Sequence, residues 1–340
     1  MESPLSQMPA PEPAAPAPPL LIGHRGAPGH RPEHTRAAYR LAFDGGVDAI
    51  EPDVVVSQDG VLVVRHENEI STTTDVADRP EFAGRRTRKV VDGMELDGWF
   101  AEDFTWAELA TLRARERVPE LRPASATRDG TEPILRLRDV FALVDVERNR
   151  LGRDLSVVVE LKHVEFLRAA GHDLVSLLLA ELTACGWAER ADHLVVECFE
   201  LVPLQQLRAA GLAARLIFLM EHEGAPADPV RGAAEPTAYA WFRSEAGLAE
   251  LAGLGVDGIS LDKFDVLQDP DTVERAHRHG LLVYTWTLRP ENHFLSPEFR
   301  GIGGESDYGD WPGEWARIRA SGIDGVFVDH PELWRGLAAS

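Results

Sequence analysis

The pattern G-[VI]-D-x-[IV]-x-x-D occurs three times in this chain: Gly46 to Asp53, Gly255 to Asp262 and Gly322 to Asp329. Each copy follows a stretch of helical period. Its Gly suits the position just past a helix, where φ turns positive. The apolar pair then enters a buried strand, and the closing Asp falls near that strand's C-terminal end. A chain that repeats this unit is built from βα units around a mainly parallel sheet. The wider pattern agrees. Strand-like runs lie at residues 48–56, 61–66, 156–162, 193–199, 215–220, 258–262, 281–287 and 325–329, after a first short run at Leu20-Leu21-Ile22-Gly23. Amphipathic stretches at 36–43, 174–185, 201–210, 245–254 and 315–320 lie between them.

With 340 residues the chain is long enough for one α/β barrel. In such barrels the C-terminal strand ends carry the active site. Residues 67–133 break the rhythm, with few strands, turn dipeptides and a helical pattern at 105–115. They read as an insertion over the barrel mouth, since a segment this long inside a compact domain is usually functional or carries its own structure. Its basic cluster, Arg85, Arg86, Arg88 and Lys89, reads as a solvated face. Residues 1–19, rich in Pro and Ala, read as a disordered lead-in with no secretory signal. That places the protein in the cytoplasm as the sequence stands, with export of a longer precursor as the alternative.

The formal charge of -21 argues against sequence-independent nucleic-acid binding, which needs clustered Lys and Arg. No apolar run reaches the length of about 18 residues that a membrane span requires. The two cysteines, Cys185 and Cys198, form no disulfide framework or zinc spacing and read as buried thiols.

The chemistry concentrates at strand ends. Glu51 and Asp53, two apart on a strand, present both carboxylates to one face. Two such groups side by side repel unless a cation sits between them, and hard oxygen donors suit Mg²⁺ or Ca²⁺. Asp59-Gly60 between two apolar runs predicts a hairpin, which folds His66 back beside Glu51 and Asp53. Glu160 and Lys162 end the run Val157-Val158-Val159. Glu160 is placed to add a third carboxylate and Lys162 to meet a phosphoryl oxygen; the bland alternative is a salt bridge in the barrel wall. His24-Arg25-Gly26 closes the first strand. Arg suits bidentate phosphate contact, and His titrates near neutral pH.

These pieces resemble the glycerophosphodiester phosphodiesterase family. The matching motifs are G-H-R-G (23–26), P-E-H-T (32–35), E-P-D-V-V-V-S-Q-D-G-V-L-V-V-R-H (51–66), V-V-E-L-K (158–162), Y-T-W-T (284–287) and D-G-V-F-V-D-H-P (324–331). The resemblance spans about residues 20–335. It implies a distorted (β/α)8 TIM barrel with a small inserted subdomain after the strand that carries the second histidine. It also implies hydrolysis of glycerophosphodiesters, such as glycerophosphocholine or glycerophosphoethanolamine, to sn-glycerol 3-phosphate and an alcohol, as in glycerophospholipid catabolism. Carried over by motif, Glu51, Asp53 and Glu160 bind one divalent ion, Ca²⁺ or Mg²⁺. His24 and His66 form the acid–base pair, Arg25 and Lys162 hold the phosphate, and Trp286 lines the glycerol pocket. Two positions depart from the family pattern. Glu67, not Asp, follows the second His. Cys198 stands where Ser is usual, preceded by Glu197, which is placed to add another carboxylate near the metal. The alternatives are a lysophospholipase D or sphingomyelinase-type enzyme on the same barrel, a non-catalytic binding relative, and an unrelated barrel aldolase using a Schiff-base Lys.

Overall fold

A computed structural model describes residues 18–228 and 237–339; most of the Pro/Ala-rich lead-in lies outside them. In chain order the strands are β1 (Leu20–Gly23), β2 (Ala49–Ile50), β3 (Asp53–Val56), β4 (Leu62–Val64), β5 (Thr87–Val91), β6 (Met94–Gly98) and β7 (Leu135–Arg136). There follow β8 (Ser156–Leu161), β9 (Leu194–Cys198), β10 (Arg215–Met220), β11 (Gly258–Asp262), β12 (Leu282–Leu288) and β13 (Gly325–Val328). Parallel pairing runs from β1 through β2 and β8 to β13 and back to β1, which closes the eight-stranded barrel. Helices cover its outside, among them Arg36–Asp44, Leu174–Ala184, Leu201–Ala209, Glu245–Gly253 and Trp311–Ala320, the last beginning earlier than the sequence suggested. None of the described helices is long and apolar enough to cross a membrane.

The period of two in a strand sorts the side chains. On β8, Val157 and Val159 join the outer core against the helices, while Val158 points inward. Ile22, Ala49, Val158, Val195, Ile217, Tyr284 and Phe327 meet in this way inside the barrel and fill it. The barrel is therefore a packed core with its open end above this layer. Gly325 has a packing reason: a Cβ there would lie 2.6 Å from the Tyr284 ring.

The repeated motif has one structural meaning at the opposite end. Gly46, Gly255 and Gly322 all have φ between 85° and 88°. The next Asp but one exchanges two hydrogen bonds with a residue on the neighbouring strand. Asp48 N–H donates to the Leu21 carbonyl (2.8 Å), and the Asp48 carboxylate accepts from Leu21 N–H (3.0 Å). Asp257 does the same with Leu216, at 2.8 and 2.7 Å, and Asp324 with Val283, at 2.7 and 2.8 Å. The side chain thus stands in for a missing strand residue and satisfies an otherwise unpaired amide.

β3 continues β2 past Glu51 and Pro52 and pairs antiparallel with β4 around the expected Asp59-Gly60 turn. The chain then leaves the barrel and returns at β7, which pairs with β4. The excursion has its own core, including Ile70, Val76, Phe82, Trp99, Phe104, Leu109 and Leu112, packed on Val55 and Val63. Two expectations for it need correction. The pattern at 105–115 forms only a short helix, Trp106–Leu109, because residues 113 and 114 turn into isolated bridges with Pro133 and Thr74. The insertion also contains a hairpin, β5–β6, turning at Asp92-Gly93. Its basic residues lie on that hairpin and before it, paired with Glu108, Asp97, Glu102 and Asp103, consistent with a solvated face.

Replacing Asp324 by Ala leaves the Val283 amide without its partner. It is expected to lower unfolding free energy by about 1–3 kcal/mol, read by urea denaturation, with the opposite barrel end and its turnover unchanged.

Candidate active site

Two residues beyond the apolar layer, the same inward faces carry a second layer. Ile22 is followed by His24, Ala49 by Glu51, Val158 by Glu160, Val195 by Glu197, Tyr284 by Trp286 and Phe327 by Asp329. The strand period therefore brings polar groups from six strand ends to one level. All of these except Asp329 line a cavity of about 1200 Å³ at the barrel mouth, with Arg25, His66, Lys162 and Phe199.

The predicted carboxylates converge. Glu51, Asp53 and Glu160 each place an oxygen within 4.8 Å of the others, and all three are buried. Asp53 and Glu160 are register partners on β3 and β8. Asp53 Oδ2 accepts from His34 Nε2 at 2.8 Å and lies 3.3 Å from Arg25 Nε; its Oδ1 has no partner. Glu51 accepts from the Arg25 amide at 2.9 Å. Lys162 Nζ donates to Glu160 at 2.8 Å, so the barrel-wall salt bridge exists inside the site. Glu197, opposite Glu160 in register, is fully buried with neither oxygen partnered. Burial, then Asp53 and Glu197, push Glu51 well above the usual carboxylate range. Burial pushes Glu160 up to about 8, with Lys162 working against it. Burial works to raise Asp53, but the His34 hydrogen bond together with the charges of His34, His66 and Arg25 holds it well below its usual range. Oxygen-only donors, unpartnered carboxylate oxygens and an excess of acids over the nearby Arg25 and Lys162 fit a hard divalent cation.

Two imidazoles flank this cluster. His24 Nδ1 is 2.6 Å from Asp329, leaving Nε2 near the Thr287 hydroxyl at 3.5 Å. Asp329 also accepts from Arg122 (2.6 Å) and Arg289 (2.8 Å), which together hold it ionised despite burial. Burial and then Arg25 lower His24 to about 4. His66 Nδ1 is 2.6 Å from Glu67, and its Nε2 is 3.2 Å from Lys162. Burial, Arg25 and Lys162 all lower His66 as well. Glu67, which stands where the family pattern has Asp, is thus the carboxylate partner of His66 Nδ1. The β3–β4 register, with Val54 opposite Val64, brings His66 to the level of Pro52, beside the acids as the hairpin required. Trp286 lines the cavity edge-on to Phe199, with ring centres 5.7 Å apart.

Several supporting residues escaped the sequence reading. His34 lies inside a noted motif but received no role; it bridges Tyr39 and Asp53. Arg122 and Arg117 come from the insertion. Arg117 grips Glu33 through both oxygens, at 2.7 and 2.9 Å, and Glu33 in turn holds Arg25 at 3.0 Å. No short-range signal marks such long-range pairs. Cys198 is buried and donates to the Leu161 carbonyl, whereas Cys185 is only half-buried, short of the burial expected for it. Lys263, the other strand-end lysine, is tied to Glu314 at 2.6 Å.

The profile described as the glycerophosphoryl diester phosphodiesterase family matches residues 24–333. The chain is 31% identical to "Glycerophosphodiester phosphodiesterase GDPD6" of Arabidopsis thaliana, over 92% of this chain and 83% of that protein. It is 24% identical to a glycerophosphodiester phosphodiesterase of Haemophilus influenzae, over 92% and 88% of the two chains. Among solved structures, an Oleispira antarctica phosphodiesterase in complex with the product sn-glycerol-3-phosphate shares the fold (TM-score 0.61, 20% identity, 95% and 98% covered). So does a glycerophosphodiester phosphodiesterase from Agrobacterium tumefaciens (TM-score 0.58, 19% identity, 94% and 99% covered).

The depressed His24 has a consequence for stability. Between pH 6.5 and about 4 the unfolded chain takes up this proton and the folded chain does not, so the group's contribution falls as pH falls through that window. His24→Asn is expected to flatten the stability slope there by at most about 1.4 kcal/mol per pH unit, measured by urea unfolding at several pH values.

Proposed function

The chain belongs to the glycerophosphoryl diester phosphodiesterase family, and from that premise we propose that it cleaves glycerophosphodiesters such as glycerophosphocholine or glycerophosphoethanolamine to sn-glycerol 3-phosphate and an alcohol. One observation carries the reading. Two imidazoles face one cavity on either side of a buried carboxylate cluster, each with Nδ1 tied to its own carboxylate and Nε2 turned inward. That arrangement suits paired proton transfer across a single reacting phosphorus. The product bound by the Oleispira antarctica neighbour has the chemistry this reading requires.

Glu51, Asp53 and Glu160 would hold the divalent cation, Ca²⁺ or Mg²⁺, with the Glu197 carboxyl buried beside Glu160. Such an ion, when bound, would supply Lewis acidity to the reacting phosphodiester. The chain's own groups do the rest. Arg25 and Lys162 face the phosphate oxygens with fixed positive charge. His24 is neutral at pH 7 and takes the proton of the glycerol 2-hydroxyl at Nε2. That oxygen attacks phosphorus, giving a cyclic phosphate, and the bond to the leaving alcohol breaks. His66, once it has taken up a proton from solvent at Nε2, hands that proton to the alcohol, with Glu67 stabilising the imidazolium through Nδ1. When Lys162 turns toward the diester, it frees His66 Nε2 to carry that proton. Water then opens the ring with the two roles exchanged. Trp286 forms part of the wall against which the glycerol moiety packs.

His24→Ala and His66→Ala are each expected to lower turnover of glycerophosphocholine on the order of 10²–10⁴, measured as release of sn-glycerol 3-phosphate. Near-wild-type turnover in both variants would contradict the assignment.

A further inference from the structure

Beyond His66, a chain of contacts leads out of the barrel to the insertion. Glu67 Oε1 lies 2.6 Å from His66 Nδ1, and Glu67 Oε2 lies 3.2 Å from His163 Nε2. His163 Nδ1 lies 2.6 Å from Asp92, at the tip of the β5–β6 hairpin. All four residues line the same cavity. Both nitrogens of His163 face carboxylates, which calls for a donor at each. Although burial opposes its charge, the bonds to Asp92 and Glu67 push His163 up to about 9. Glu67 stays ionised between the two rings, held well below its usual range by His163 and His66 against its own burial.

The backbone is committed to the same arrangement. Asp92 (φ 47°) and His163 (φ 52°) both take the left-handed conformation, which non-glycine residues adopt rarely. Among the described non-glycine residues, positive φ otherwise occurs only at Arg25 and His34, both in the site. A Glu differs from an Asp by one methylene. Here that added reach lets one carboxylate serve two imidazoles.

We infer that His163 is a positioning residue for His66: clamped by the hairpin tip through Asp92, it fixes the second oxygen of Glu67 and so holds His66 in the Nδ1–H tautomer with Nε2 presented to the cavity. The inserted hairpin is thereby part of the catalytic apparatus, although it contributes no group that touches the reacting atoms. This rests on the reading of His66 as a proton-transfer group acting at Nε2. A carboxylate partner that fixes the tautomer of a ring is a contact whose loss is felt in rate more than in binding.

The test uses the full chain labelled with ¹⁵N-histidine, with ring-nitrogen shifts read at fixed pH beside steady-state kinetics on glycerophosphocholine. Wild type is expected to show His66 as Nδ1–H. His163→Ala is expected to give a mixed tautomer and to lower kcat about 10-fold with KM within about 2-fold. His163→Gln, which keeps a donor toward Glu67, is expected to recover most of both. Asp92→Ala is expected to fall between. A His163→Ala protein with the wild-type His66 tautomer overturns the proposal, whatever its rate. So does a changed tautomer with unchanged kcat. If wild type does not turn over the substrate, the tautomer comparison still decides the positioning role, so failure of the functional reading is separately visible.

Discussion

Four carboxyl groups, Glu51, Asp53, Glu160 and Glu197, share one buried level of the barrel, and the surrounding site is arranged around the cost of keeping them there. Two unit charges about 4 Å apart repel by about 4 kcal/mol at an effective dielectric of 20. Lys162 offsets part of this on Glu160, and Arg25 offsets part on Asp53. Arg25 is shared with Glu33, which has its own second partner in Arg117. Burial, and after it the remaining charge imbalance, raises the carboxyls of Glu51, Glu160 and Glu197, and oxygens are left with no partner at Asp53 and Glu197. A polar cluster left this incomplete would be costly as a purely structural element. It makes sense as a receptor for a divalent cation and a phosphodiester, with binding completing what folding leaves open.

The insertion supplies side chains that reach the site from outside the barrel strands. Arg122 reaches Asp329 and thereby fixes the carboxylate behind His24. Arg117 orders Glu33 behind Arg25. Asp92 reaches His163 behind Glu67 and His66. His24, Arg25 and His66 are therefore each braced, through intervening residues, by a side chain of the insertion. The insertion's own core, anchored on Val55 and Val63 of β3 and β4, gives those braces a rigid origin.

Much of this was legible in the sequence, for physical reasons. Strand alternation is local, so Val158-Val159-Glu160 and Ile22-Gly23-His24 announce an inward apolar residue followed two places later by an inward polar one. Asp59-Gly60 fixes a hairpin register within a few residues, which placed His66 correctly. The repeated Gly-x-Asp marks helix exit and strand entry in sequence alone. Its first Asp completes the neighbouring strand at the closed end, and its last Asp stands at the other, active-site end of its own strand. Illegible were the pairs separated by tens to hundreds of residues, such as Arg122 with Asp329, because no local pattern encodes a partner across the fold. The pattern at 105–115 misled because its apolar spacing serves the insertion's small core through a turn of helix and bridges, not through one long helix.

The central claim is that Glu51, Asp53 and Glu160 form one cation site. The most direct measurement is calorimetric titration of the chelator-stripped full chain with Ca²⁺ and, separately, Mg²⁺. Wild type should bind one equivalent of at least one of these ions, and Glu51→Gln, Asp53→Asn and Glu160→Gln should each weaken that binding by about 10-fold or more. A stripped wild-type protein that binds neither ion, or three variants that bind as wild type does, would contradict the account.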